Sequence, residues 1–538
     1  MKNKLVSAQG AVDLICDGNT ITTVGFTLMG ASEDILREIE ERFHQTGHPK
    51  NLTLFHAAGQ CDRQNGIQHL AHPGLVTKII GSHWGLAPLW GELIHRNGVE
   101  AYCLPQGQIV HLFRAMASGK PGNFTKIGLG TFIDPRIEGG KINDKAKMSH
   151  DNLVDIIHIY NEEYLFYKSI PIDIAIIRGT TADENGNITM EDEALKLEAI
   201  SVAQAAKRFG GKVIAQVKNY ARAGTLHPKQ VVVPGIYVDA LVISENPEQN
   251  HRLTSSCYHD PAYTGDIKVP EASIAPMEMN IRKIIGRRGV TELFPRAIVN
   301  LGTGIPGDTV GSIANEENIL NEIVLTVESG VIGGIPDGGI DFGIAKNAEA
   351  VIEHGYQFDY YNGRGVDITY MGTAEVDIKG NVNVSRFGGK AVGCGGFIDI
   401  TQPARKVVFV GTFTSKGLEA KVSNGKLVIV QEGQIKKFVN NVNQITFSGE
   451  YARNVGQKVL YVTERAVFEL RQEGLTLIEY APGIDIQKQI IDNMEFAPIV
   501  ADDVRQMDSK IFKTQPMNFL DGFYSLNKKT PGRGELLA

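Results

Sequence analysis

The chain has 538 residues, more than one hydrophobic core usually serves, so at least two domains are expected. Its composition of 42% apolar and 21% charged residues is that of a globular protein, and a net charge of −7 with both signs interspersed argues against a nucleic-acid or anionic-membrane surface. No apolar run approaches the ~20 residues of a membrane span, and the N-terminus lacks the apolar core of a signal peptide, so a cytoplasmic protein is expected.

Apolar strands alternate with amphipathic helices along the chain. Thr20–Leu28 reads as a strand entering a turn at Gly30. Ser32 is placed to cap the next helix, Glu33 and Asp34 suit its positive end, and Ile35, Leu36, Ile39 and Phe43 form one apolar stripe ended by Gly47 and Pro49. Asn51–Phe55 is the next strand. Asp173–Ile177, a helix from about Ala194 to Phe209 and the strand Val213–Val217 repeat the pattern, which predicts an α/β fold of largely parallel sheets with right-handed crossovers. Residues 246–280 carry four prolines and no period and read as a linker between domains of residues 1–245 and 281–515. From about Lys510 the chain reads as a weakly structured polar tail, bounded as residues 516–538, whose Phe and Leu residues are free to dock on a neighbour.

An internal repeat joins the halves. Asp173–Ile188 aligns without gaps to Asp367–Val382, with Asp173/Asp367, Ile174/Ile368, Asp183/Asp377, Gly186/Gly380 and Asn187/Asn381 identical. More loosely, Asn51–Gly59 aligns with Glu322–Gly330. Two homologous open α/β domains are therefore expected, as from a duplication.

The second alignment exposes an asymmetry. Ile323–Val327 reads as a strand buried on both faces, and Glu328 follows it at once, ahead of Ser329, Gly330, Gly333 and Gly334. In open α/β sheets ligands lie beyond the carboxyl ends of the strands, so this lone carboxylate is placed to act as acid, base or nucleophile, or else is a solvated residue on a turn. The first half carries Ala57 at the matching position.

Other motifs gather round this candidate. Gly302-Thr-Gly304-Ile-Pro-Gly307 matches the dinucleotide pattern only formally, because Pro306 lacks an N–H for a phosphate; it fits a substrate-shaping turn better. Gly393-Cys-Gly395-Gly396 offers either an oxyanion hole of backbone N–H groups or a tight structural turn. Gln106, in Leu104-Pro-Gln-Gly, stands where a helix starts, either as a cap or as a neutral group that orients a carboxylate. Cys16, Cys61, Cys103, Cys257 and Cys394 make no CxxC, and His69 and His72 lack the glutamate of a zincin, so no disulfide framework and no metal site is expected.

Together LPQG (104–107), GLGTFIDPR (128–136), ADENGNI (182–188), NLGTGIP (300–306), ESG (328–330), GCGGFID (393–399) and LTLIEYAPGID (475–485) resemble the family I coenzyme A transferases, particularly the fused single-chain type, over roughly residues 10–515. The resemblance implies two domains of the CoA-transferase type, the second carrying a catalytic glutamate at Glu328. It also implies ping-pong transfer of CoA between a short-chain acyl-CoA, of the acetate or propionate kind, and a free carboxylate through a glutamyl-CoA thioester. By the same resemblance Gly395, Gly396 and Gln106 form the oxyanion and substrate loop, and Gly302, Gly304 and Gly393 contact CoA. CoA is then substrate and covalent intermediate, with no permanent cofactor and no metal, and a homo-oligomer such as a tetramer is suggested. The family's usual ENG or EMG is ESG here, which leaves the acyl preference open. An acyl-CoA hydrolase using the same glutamate and a non-catalytic ligand-binding protein are the alternatives.

Overall fold

The computed structural model describes residues 4–270 and 276–526. In the first half, β1 (Thr20–Thr23), β2 (Leu52–His56), β3 (Val76–Gly81), β4 (Glu100–Cys103), β5 (Ile174–Arg178), β6 (Lys212–Val217) and β7 (Ala240–Ile243) form a sheet in the order β7-β6-β5-β1-β2-β3-β4. Every neighbouring pair is parallel. In the second half, β8 (Ile298–Leu301), β9 (Val324–Val327), β10 (Ile368–Gly372), β11 (Lys406–Val410) and β12 (Lys458–Val462) lie parallel in the order β12-β11-β10-β8-β9. Short antiparallel strands extend this sheet beyond β9, and Ala466–Arg471 pairs antiparallel with β12 at the other side. The parallel strands are almost wholly buried, which is why they read as continuous apolar runs.

The order β7-β6-β5-β1-β2 recurs as β12-β11-β10-β8-β9, and the aligned residues repeat their hydrogen bonds. Asp173 accepts from Thr20 N at 2.8 Å, and Asp367 from Ile298 N at 2.9 Å. Asp183 accepts from the backbone N–H and the side-chain amide of Asn187 at 2.9 and 3.0 Å; Asp377 does the same for Asn381 at 3.0 and 2.9 Å. Gly186 and Gly380, which complete these turns, have φ of +86° and +79°.

Three expectations are corrected. The strand from Thr20 ends at Thr23, because Phe26 and Met29 exchange backbone hydrogen bonds in a turn that presses the Phe26 ring on Gly343 of the other half. Ser32 stands at the N-cap of α1 (Glu33–Thr46) but makes no cap bond; its hydroxyl donates to Ile177 O at 2.9 Å, and Gln216 Oε1 accepts from Asp34 N at 3.0 Å instead. The helix expected from Ala194 starts at Ala199, after Leu197 takes φ +51° and its carbonyl accepts from His354 N.

Two further helices carry the site: α2 (Gln106–Ala117), which packs against α3 (Ala199–Arg208), and α5 (His354–Gly363), which lies on α2; α4 (Ile305–Glu316) and the short α6 (Phe397–Thr401) complete the set used below. The 246–270 stretch has two one-turn helices and bonds to both halves. Its His251 joins the buried Arg178–Glu193 pair, and Val269 exchanges two hydrogen bonds with Asn347. The rest of the expected linker at 271–275 lies outside the described residues. The expected weak tail is docked as far as Phe523: Ile511, Phe512, Met517 and Phe523 are buried, and Glu317 accepts from Met517 N and Phe519 N at 2.7 and 3.1 Å. Residues 527–538 of that tail lie outside the described residues. No described helix is long and apolar enough to cross a membrane.

Candidate active site

The two halves meet where their parallel strands end. Gly395 N donates to Ser82 O just after β3 at 2.9 Å, Trp84 N donates to Val392 O at 2.7 Å, and Gln106 N donates to Gly395 O at 3.0 Å. Asp399 of α6 extends this seam. Its carboxylate accepts from Gly107 N at 2.8 Å and from Gln108 Nε2 at 2.7 Å, so the start of α2 and the glycine turn are held as one piece. Burial pushes the Asp399 carboxyl up to about 6, against the pull of those two donors.

Beside this seam opens a cavity of about 730 Å³, lined by residues of both halves. Glu328 stands on its wall directly after β9, only 8% exposed. A Cβ added to Gly396 would lie 3.4 Å from Glu328 Cγ, so the glycine turn rests on the glutamate side chain. Among the described residues, Glu328 Oε2 has no hydrogen-bond partner. Burial raises the carboxyl to about 7, while its own N–H, the nearby His354 and the Asn300 amide pull the other way. Behind it Thr326, Asn300 and Thr369, in register on β9, β8 and β10, bond to one another through Tyr361 Oη and Asn300. The next residues are fixed as well: the Ser329 hydroxyl donates to Gly343 O, and Gly330, at φ +116°, leaves no room for a Cβ, which would meet Ile352 O at 2.2 Å. The ESG sequence is therefore accommodated by a bond that ties down the following loop.

The predicted site residues separate into those gathered here and those that are not. Glu328, Gln106, Gly302, Gly393, Gly395 and Gly396 all line the cavity; Gly304 does not, and it serves instead as the φ +80° start of α4. Gly302 packs against Met371, where a Cβ would come within 2.6 Å of Sδ. Of the two expected oxyanion donors, Gly395 is excluded by its bond to Ser82 O, whereas the Gly396 N–H has no acceptor among the described residues. Gln106 is the first residue of α2 rather than a cap, and its Nε2 donates to His354 Nε2 at 2.8 Å. His354 Nδ1 in turn lies 2.6 Å from Glu198 Oε2, and both groups are fully buried. The amide N–H needed to orient a carboxylate is thus turned toward His354, with Oε1 on the Gly395 side.

Cys394 lies 3.7 Å from Cys103, and burial raises its thiol far above the ordinary range, which leaves it unreactive. His69 bridges Glu33 and Glu40, and His72 also pairs with Glu40. Glu40, His44 and His72 bring their ligand atoms within 4.8 Å of one another, but none of them lines the cavity.

Comparison with known proteins agrees with this geometry. A family model described as Coenzyme A transferase matches residues 5–244. Caffeate CoA-transferase of Acetobacterium woodii is 46% identical over 515 residues, which cover 95% of this chain and 97% of that protein. The chain belongs to the coenzyme A transferase family. Acetate CoA-transferase YdiF of Escherichia coli (strain K12) is 41% identical over 519 residues, 96% of each chain. The crystal structure of the acyl-CoA transferase YdiF from E. coli O157:H7 in a thioester complex with CoA matches with a TM-score of 0.89 at 39% identity, covering 96% of this chain and 97% of that one. The α/β fold of largely parallel sheets, the family resemblance and the assignment as an enzyme that transfers CoA are therefore established.

Several residues in or behind this CoA-transferase's cavity carried no sequence signal. His354 and Glu198 stand at helix starts and reach the cavity only through Gln106, which lines it, while Lys437 lines the cavity from between two short strands; only the fold marks them.

Proposed function

We propose that Glu328 is the nucleophile of a ping-pong transfer of CoA between a short-chain acyl-CoA, acetyl or propionyl, and a free carboxylate. The observation that carries this reading is a buried carboxylate on the cavity wall with one oxygen unpartnered and an elevated proton affinity. In its ionised form that oxygen attacks the thioester carbonyl. The electron pair of the C–S bond leaves on sulfur, giving a glutamyl–acyl anhydride and CoA thiolate. The thiolate then attacks the glutamyl carbonyl, releasing the first carboxylate and forming a glutamyl-CoA thioester. A second carboxylate reverses both steps. No bond energy has to be supplied from outside, because each step exchanges one activated acyl group for another.

A carboxylate is a weak nucleophile in water, so the site has to contribute position and charge stabilisation. Burial strips water from Glu328 and raises its basicity. The Gly396 N–H, which has no acceptor among the described residues and belongs to the turn resting on the glutamate side chain, is the donor best placed for the developing oxyanion. Asp399 keeps that turn in place through Gly107 and Gln108. The remote parts of CoA supply binding energy that is realised at the reacting carbonyl.

Initial-rate kinetics test the route. Double-reciprocal plots for acyl-CoA at several acetate concentrations are expected to be parallel, and release of CoA from acetyl-CoA to require a carboxylate acceptor. Intersecting lines would exclude the ping-pong order, and acceptor-independent CoA release at the transfer rate would make the chain a hydrolase.

A further inference from the structure

We propose that Lys437 is the anion-binding residue of the substrate cavity, receiving a negatively charged oxygen of the substrate at a position remote from the thioester. This deepens the reading of Glu328 as the site of CoA transfer and rests on it.

Lys437 is 7% exposed, and it lines the same cavity as Glu328. Its backbone is fixed, because its carbonyl accepts from Val376 N at 2.8 Å. Its ammonium, however, makes no ion pair and no hydrogen bond among the described residues. The acids around it are committed elsewhere. Glu464 accepts from Phe413 N at 2.9 Å and from Arg465 Nε at 2.7 Å, and Glu432 is held by Arg465 as well. Glu375, which also lines the cavity, accepts from Asn383 Nδ2 and Asn443 N at 2.8 Å each. The ammonium occupies a space shaped for it: a Cβ on Gly411 would fall 2.7 Å from Lys437 Nζ and 2.8 Å from Thr373 Oγ1.

A buried ammonium without a partner is costly, and native structures retain one chiefly where something else completes it. The desolvation is felt at Lys437, whose affinity for its proton falls to about 8, still on the charged side at neutral pH. The cavity supplies the missing partner only when substrate enters. Two parts of the substrate pair can offer the anionic oxygen: the phosphates of CoA, or a second carboxylate on the acyl group or acceptor acid. Thr373 Oγ1, beside the ammonium, adds a hydroxyl donor suited to either.

The test compares Lys437→Met with wild type and Lys437→Arg, using acetyl-CoA and S-acetyl-pantetheine as donors, and acetate and succinate as acceptors. Methionine keeps the unbranched four-atom stem of the side chain and removes an unpaired buried charge, so the melting temperature of the variant is expected to equal or exceed that of wild type. If the phosphates are the partner, kcat/KM for acetyl-CoA falls about tenfold or more in Lys437→Met, the value for S-acetyl-pantetheine stays within about twofold, and Lys437→Arg recovers part of the loss. If a second carboxylate is the partner, the loss appears with succinate and not with acetate. Equal values for both proteins on every substrate, or an equal loss with all of them, would overturn the assignment. Should Lys437→Met fail to fold, the same comparison is made with Lys437→Gln: a changed ratio of kcat/KM between acetyl-CoA and S-acetyl-pantetheine, or between succinate and acetate, supports the anion site, and both ratios unchanged overturn it. A Lys437→Met protein that still forms a CoA adduct at Glu328 keeps the two readings separate.

Discussion

Replacing Glu328 by glutamine should make the protein more stable, and only at high pH. The carboxyl rises from 4.5 to about 7 on folding because its charged form loses water. At about 1.4 kcal/mol per pKa unit, ionising it in the folded state costs about 3 kcal/mol. The sign follows from proton counting. Below pH 4.5 the group is protonated in both states and the cost is absent. Between 4.5 and about 7 the unfolded chain releases its proton first, so stability declines with pH, and above about 7 the whole cost is present. Glu328→Gln, a neutral mimic of the protonated acid, should match wild type at pH 4.5 and exceed it by about 3 kcal/mol at pH 8. Denaturant unfolding of both proteins at the two pH values measures the gap. A gap that does not change with pH, or a less stable glutamine variant at pH 8, would refute the burial argument. The same titration governs the wild-type rate: kcat/KM for acyl-CoA should rise about tenfold per pH unit below about pH 7 and level off above it.

His354→Ala leaves the Glu198 carboxylate without its partner and frees the Gln106 amide; stability should fall by about 3 kcal/mol or more in urea unfolding, with a lower kcat. Gly330→Ala places a Cβ 2.2 Å from Ile352 O at a φ of +116°, so the loop after Glu328 must move, and soluble protein, if recovered, should lack transferase activity in a CoA-release assay. Gly304→Ala meets nothing within 4 Å, although its φ is +80°; it should cost about 1–2 kcal/mol of stability and leave kcat/KM unchanged, because Gly304 does not line the cavity.

What could be read in the sequence was whatever local pattern determines. The buried run before Glu328 and the glycines after it mark a strand end, and the repeated Asp and Gly-Asn positions recur because each half closes the same turn with the same hydrogen bonds. Features made by distant segments carried no such mark. Glu198 and His354 are 156 positions apart, and His354 and Gln106 are 248 apart, so nothing local distinguishes them from ordinary polar residues. The glycine pair 395–396 looked equivalent until Ser82 O, from the other half, claimed one N–H. Ser32 looked like a cap, yet a neighbouring strand end offered its hydroxyl a better acceptor in Ile177 O.

The covalent role of Glu328 is tested most directly by intact mass measurement of the wild-type protein after incubation with acetyl-CoA, followed by peptide mapping. The expected result is an added mass equal to CoA less water, located on the peptide containing Glu328, removed by acetate or hydroxylamine and absent from Glu328→Ala. An unmodified chain under conditions where CoA transfer proceeds, or an Ala variant with full transferase activity, would contradict it.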